Sequence, residues 1–180
     1  MTHVAAHGFP VPEVFAAAGK DLVMERLHGP VILDAVAAQA YDTHEAGRVL
    51  ADLHTRLHAV PSRSGDPDER VLHLDLHPAN VVLTPDGPVL IDWTNATDGP
   101  PDLDVALTAV ILAQVAVEPG HVYAEAATTM LTAFLDATSG APLSMLDRAI
   151  ARRAADRSLT AAEVGLLDAA AALITATTLR

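Results

Sequence analysis

Asp75, Asn80 and Asp92 are the residues of this chain whose types and spacing point most directly to chemistry. They lie in the stretch His73-Leu74-Asp75-Leu76-His77-Pro78-Ala79-Asn80, followed by Val81-Val82-Leu83, Thr84-Pro85-Asp86-Gly87 and Val89-Leu90-Ile91-Asp92. Two short β-branched and leucine runs flank a Pro-Asp-Gly turn, which predicts a β-hairpin. Asp75 and Asn80 fall on the loop that enters the first strand, and Asp92 ends the second. A tight hairpin therefore brings two carboxylates and one amide together. That grouping suits phosphoryl transfer, which needs a carboxylate to orient a hydroxyl and hard oxygen ligands for magnesium on nucleotide phosphates.

The kinase catalytic-loop pattern H-x-D-L-x-x-x-N fits His73, Asp75, Leu76 and Asn80. With His77-Pro78 and Ile91-Asp92-Trp93 added, the segment resembles the aminoglycoside phosphotransferase family, whose loop reads H-x-D-x-H-P-x-N and whose metal motif is I-D-W. Pro12-Glu13-Val14 followed by Leu22-Val23-Met24-Glu25-Arg26-Leu27 also resembles the family, and so does Asp98 to Asp104. The resemblance implies an α+β, mainly helical fold: a protein-kinase-like C-terminal lobe carrying a short catalytic hairpin. It implies Asp75 as the base, Asn80 and Asp92 as magnesium ligands, and His73 as a brace of the loop. It further implies Asp104 as the carboxylate that holds the loop backbone from below, and a hinge at Met24, Glu25 and Arg26 whose backbone binds the adenine of ATP. The acceptor would be a hydroxyl of a small molecule, with no nucleic acid and no membrane involved.

Composition agrees with a helical interior. The chain has 180 residues, 51% hydrophobic but only 3% aromatic, so its core is packed with alanine and leucine. A net charge of −12 argues against a nucleic-acid partner, which needs a basic footprint. It suits a cationic substrate, and suits equally well a protein made soluble by its acids. Without cysteine, disulfides, thiol catalysis and zinc-thiolate sites are excluded. No basic start followed by an apolar run marks a signal peptide, and Val105 to Val117 is too short to span a bilayer, so a cytoplasmic protein is expected.

The elements that must position the site can be read in order. A helix tail closes at Gly8, and two strands, Glu13 to Ala16 and Leu22 to Glu25, form a hairpin. A helix over Asp42 to Ala59 has apolar residues at helical spacing, Asp42 or Thr43 as cap and Pro61 as stop. Ser62 to Arg70 reads as a solvated loop. The buried helix follows an irregular stretch in which Asp102 has no evident duty. Three further helices are expected, over Val122 to Ala137, Ser144 to Ala155 and Ala161 to Thr177, the last opened by the capping box Thr160-Ala161-Ala162-Glu163. The expected units are a hinge with a remnant of an N-terminal lobe over 1–30, and the C-terminal lobe over 31–180.

Other readings compete. The plainest is a hairpin with polar ends on a helical domain. A metal-dependent hydrolase using His73, Asp75, His77 and Asp92 is permitted, because alternate residues of an extended segment share a face. It leaves Asn80 and the Met-Glu-Arg segment unexplained. His54 and His58, four apart on one helix, have a metal-binding spacing but no further ligand in sequence, and read better as packed or surface histidines. One departure from the family matters. No G-x-G-x-x-G precedes the hinge, and Lys20 is the single lysine, placed in a hairpin turn. The triphosphate would then lack its cover and its main cation, so the chain is expected to be short at its N-terminus and nearly inactive alone, or a kinase-like remnant that only binds. Scattered acids such as Glu118 and Glu125 are the visible candidates for an acceptor pocket.

Overall fold

A computed structural model describes residues 1–180, and its centre is the helix α4, Pro101–Val117. This helix is apolar on all sides, and Leu103 through Val110 are all buried, as are Leu112, Ala113 and Gln114. A helix with no polar face must be covered all round. Here α5 (Ala124–Ala137), α6 (Leu146–Ala154) and α8 (Leu167–Thr178) pack against it, and α3 (Thr43–Leu57) packs on α5. The fold is mixed α and β, mainly helical, as expected.

Strands come in three separate antiparallel pairs. β1 (Val14–Ala18) pairs with β2 (Asp21–Met24). β3 (Arg70–Leu72) pairs with β6 (Thr97–Gly99), and β4 (Val81–Thr84) pairs with β5 (Gly87–Leu90). The β4–β5 turn is the two residues Pro85-Asp86, with Gly87 at φ 121°, a region that glycine enters without steric cost. This hairpin is held at both edges: Leu83 N–H donates to Pro30 O (2.8 Å) and Leu90 N–H to Pro10 O (3.1 Å).

The structure revises several expectations. The short α1 (Thr2–Ala6) and α3 stand where expected, and Asp42 caps α3 by accepting the Glu45 N–H at 2.7 Å. Two elements have no counterpart among the expected ones: α2 (Ile32–Ala37), in a stretch given no element, and the β3–β6 pair, which runs into the stretches read as loop and as irregular. Before α6, Pro142–Met145 form a 3-10 turn rather than the first turn of the helix. The last expected helix is divided into α7 (Ala161–Val164) and α8 around Gly165-Leu166, where Leu166 N–H turns back to Glu163 O (3.1 Å). Taken as one stretch, Ala161–Thr178 is long and apolar enough to cross a membrane. Its break and the burial of Leu167, Ala170, Ile174 and Thr177 fit a pair that covers the core.

The tightest helix contact is at Gly47 of α3. A Cβ there would lie 2.5 Å from Met130 O, 2.8 Å from Ala133 Cβ and 3.0 Å from Phe134 N. In an exposed helix, Gly→Ala gains about 1 kcal/mol, but forcing an atom into packed backbone costs about 1–3 kcal/mol. Gly47→Ala should therefore lower unfolding stability, by roughly 1–2 kcal/mol in urea titration. A raised midpoint would show that α3 and α5 are not in this contact.

Candidate functional site

The loop Leu72-to-Asn80 is fixed from below by Asp104, which is fully buried in the first turns of α4. Its Oδ2 accepts the His73 N–H at 2.9 Å and its Oδ1 the Leu74 N–H at 2.6 Å. His58 Nε2 adds a third bond to Oδ2 at 3.2 Å. These bonds accompany a positive φ of 63° at Leu74, which costs a non-glycine residue about 1–3 kcal/mol unless its surroundings impose it. One turn along α4, the Thr108 hydroxyl donates to Leu76 O (2.7 Å). The central helix thus grips the loop on both sides of Asp75.

The following residues are folded locally. His77 precedes a 3-10 turn over Pro78–Asn80 and accepts the Ala79 N–H at 3.3 Å. Asn80 is buried, and its Nδ2 donates to Asp75 O at 2.9 Å, lying 3.4 Å from Asp75 Oδ2 and 3.2 Å from His77 Nε2. With its amide nitrogen so engaged, Asn80 keeps its Oδ1 for a ligand. His77 Nε2 is 3.6 Å from Asp75 Oδ1. Ile91 N–H donates to Asn80 O (2.9 Å), so the second strand's continuation returns to the loop and places Asp92 next in the chain. Asp92 is exposed with φ 59°, and its Oδ1 accepts from Thr94 Oγ1 at 2.8 Å. Asn80 Oδ1 and the remaining Asp92 oxygen are hard, uncommitted donors, a set that suits magnesium.

His73 faces elsewhere. Its Nε2 must donate to Ile91 O (3.0 Å), and its buried ring packs edge-on against Trp93. That bond leaves only Nδ1 of His73 as a ligand atom, and the ligating atoms of His73, Asp75, His77 and Asp92 do not gather. The group that does gather is His54, His58 and Asp104. Its members are already committed to structure. Thr108 gives its only proton to Leu76, so it accepts from His54 Nε2–H at 2.9 Å.

The hinge candidates lie at the end of β2. Met24 is exposed, Glu25 N–H is taken by Glu13 O at 2.8 Å, and Arg26 makes no backbone hydrogen bond. The β1–β2 hairpin exposes Phe15, Leu22 and Val23 as well, with Phe15 60% accessible. Lys20 is exposed in its turn.

Residues that sequence reasoning missed surround a cavity of about 440 Å³ beside Asp75. Asn95, Arg152, Arg153, Asp156 and Ser158 line it, whereas Glu118 and Glu125 do not. The available signal was two adjacent arginines in an acidic chain. Asp102 also finds its duty: its carboxylate accepts Ala141 N–H (2.9 Å) and Ser144 Oγ–H (3.2 Å), tying α4 to the 3-10 turn before α6.

Burial governs the charges here. It pushes His54 down from 6.5 to about 3, despite the attraction of Asp104, and lowers His73 and His77 in the same way. For Asp104 burial acts to raise the pKa, but His54, His58 and the His73 N–H outweigh it and hold the carboxyl below its usual range. Between pH 6.5 and about 3 the unfolded chain takes up a proton that folded His54 refuses. Stability should therefore fall as pH drops through that window, by about 1.4 kcal/mol per unit for each such group. Below the ordinary carboxylate range Asp104 adds to the loss. His54→Gln should flatten the pH dependence of the urea midpoint by about one proton. An unchanged slope would show that His54 is not held neutral.

Comparison with known proteins bears on the family and the fold. Residues 63–137, from the loop before β3 through α5, match the model of the phosphotransferase enzyme family. No curated protein matched the chain. Among solved structures, an aminoglycoside-3'-phosphotransferase of type VIII is similar at 18% identity and TM-score 0.54, with 97% of this chain and 76% of that one covered. The amicoumacin kinase hAmiN, in complex with AMP-PNP, Ca2+ and Ami, gives 14% and 0.52, covering 98% and 75%. An aminoglycoside phosphotransferase from Alicyclobacillus acidocaldarius gives 14% and 0.51, covering 99% and 79%. The resemblance to the aminoglycoside phosphotransferase family thus rests on a family match across the site and on a shared kinase-like fold across nearly the whole chain.

Proposed function

We propose that this protein is a magnesium- and ATP-dependent phosphotransferase acting on a hydroxyl of a small molecule. The observation that carries the reading is the arrangement of Asp75 and Asn80 on a loop pinned by Asp104, with Asp92 returned beside them by the hairpin. Asn80 Oδ1 and Asp92 would hold the metal, which supplies neutralisation of the phosphate charge. Met24, Glu25 and Arg26 would border the adenine, with the Arg26 backbone uncommitted. The division into a hinge segment over 1–30 and a catalytic lobe over 31–180 belongs to the same proposal, and a cytoplasmic setting suits its nucleotide.

Asp75 holds the acceptor hydroxyl in line. As the hydroxyl oxygen bonds to the γ-phosphorus, the bond to the bridging oxygen breaks and the nucleoside diphosphate leaves. The hydroxyl proton passes to Asp75 late, as befits a carboxylate, so most of its contribution is orientation. His73 holds the segment before the metal-binding Asp92 through Ile91 O, and His77 stands between Asp75 and Asn80.

A binding-only remnant remains the second reading, favoured by the single lysine's exposed position in the β1–β2 turn. Kinetics separates the two. Asp75→Asn should lower kcat about 10²–10⁴-fold with little change in melting temperature, and Asp92→Ala should weaken Mg-nucleotide binding. Equal turnover in the parent and both variants would refute the assignment. Nucleotide binding without turnover in the parent chain would favour the remnant.

A further inference from the structure

The cavity beside Asp75 has a charge pattern that bears on the acceptor, and the argument rests on the phosphotransferase reading above. Arg153 is three-quarters buried and fixed in direction. Its Nε donates to Gln114 Oε1 at 2.7 Å, and its Nη1 contacts Asp156 Oδ2 at 3.3 Å. Gln114 is itself buried and donates to Glu163 O (3.1 Å), so the guanidinium is anchored from α4. Nη2 of Arg153 has no partner among the protein's hydrogen bonds. The side chain of Arg152, on the same cavity wall, forms neither a hydrogen bond nor an ion pair, and the residue is exposed to solvent.

Asp156 is largely spent. Its Oδ1 accepts both the N–H (2.9 Å) and the hydroxyl (2.8 Å) of Ser158, and its Oδ2 faces Arg153. These bonds keep its carboxyl below the usual range. Of the charges around the cavity, Asp75 sits where the acceptor hydroxyl would bind, and Asp156 is engaged by Ser158 and Arg153. The wall away from Asp75 therefore presents Arg152 and the open edge of Arg153. This occurs in a chain of net charge −12, so general charge balance does not explain it.

We infer that the acceptor carries an anionic group, a carboxylate or a phosphate, bound by Arg152 and Arg153 while Asp75 orients its hydroxyl. Guanidinium N–H groups pair with either anion in a two-pronged fashion. A polyamine such as an aminoglycoside would instead set its ammonium groups against two guanidiniums. Asn95 and Ser158 offer neutral hydrogen bonds to the remaining hydroxyls.

A matched series tests this: glucose, glucosamine, glucuronate and glucose 1-phosphate share a ring and differ in charge. Each is titrated into the full chain in the presence of magnesium and AMP-PNP, by calorimetry and by the NMR signal of Arg153 Nε–H. Glucuronate or glucose 1-phosphate should bind at least tenfold tighter than the other two and shift the arginine signal. The preferred one of the pair identifies the anion. Arg152→Gln and Arg153→Gln should each reduce that preference several-fold. Glucosamine or glucose binding best, or no member binding, would overturn the inference, as would a larger loss for AMP-PNP than for the sugar anions in the arginine variants. The same titrations report on nucleotide separately. Nucleotide binding with a preference for glucosamine removes only the acceptor assignment, whereas sugar-anion binding without nucleotide removes the phosphotransferase reading.

Discussion

A carboxylate with no access to water must be satisfied by its neighbours, and Asp104 is such a group. It meets the requirement with two backbone N–H groups of the loop it supports and one imidazole. Because an unpaired buried charge costs several kcal/mol, about 3–5 when one partner is removed, the loop cannot relax without leaving that charge exposed to an apolar interior. The strained backbone at Leu74 follows from this constraint, and with it the direction of Asp75. Thr108 repeats the device one turn further along the same helix. The helix that forms the centre of the core is therefore also the base of the site, and packing of α5, α6 and α8 around it bears directly on loop geometry.

Much of the site was legible in sequence because its chemistry is local. The Pro-Asp-Gly turn specifies the hairpin, the histidine, aspartate and asparagine spacing specifies the loop, and capping residues mark α3 and α7. The three-residue strands β3 and β6 were not legible. Their pairing joins segments 25 residues apart, and nothing in Arg70-Val71-Leu72 or Thr97-Asp98-Gly99 displays an alternation long enough to read. The break between α7 and α8 was hidden for a related reason. Alanine-rich sequence favours helix everywhere, and Gly165 weakens it by only about 1 kcal/mol, so a tertiary bond from Gln114 to Glu163 O accompanies the interruption without any local sign.

The cavity wall was missed because its residues are spread over the loop after β5, α4, the end of α6 and the α6–α7 connection. Acids such as Glu118 were visible as charges, but their position relative to Asp75 depends on how α4 and α5 cross. Arg152 and Arg153 form the last turn of α6, a short amphipathic helix whose apolar face includes Leu146 and Ala149, and they line the same cavity as Asp75. Asp102 illustrates the same point: its partners Ala141 and Ser144 lie about forty residues away, joined to it only by the fold.

The central claim is that Asn80 and Asp92 form a divalent-metal site next to Asp75. Crystals of the protein grown with Mn2+ and AMP-PNP, measured at the manganese absorption edge, test it most directly. The account predicts an anomalous peak within coordination distance of Asn80 Oδ1 and the Asp92 carboxylate. A peak at the His54, His58 and Asp104 group instead, or nucleotide bound with its metal held away from Asn80 and Asp92, would contradict it.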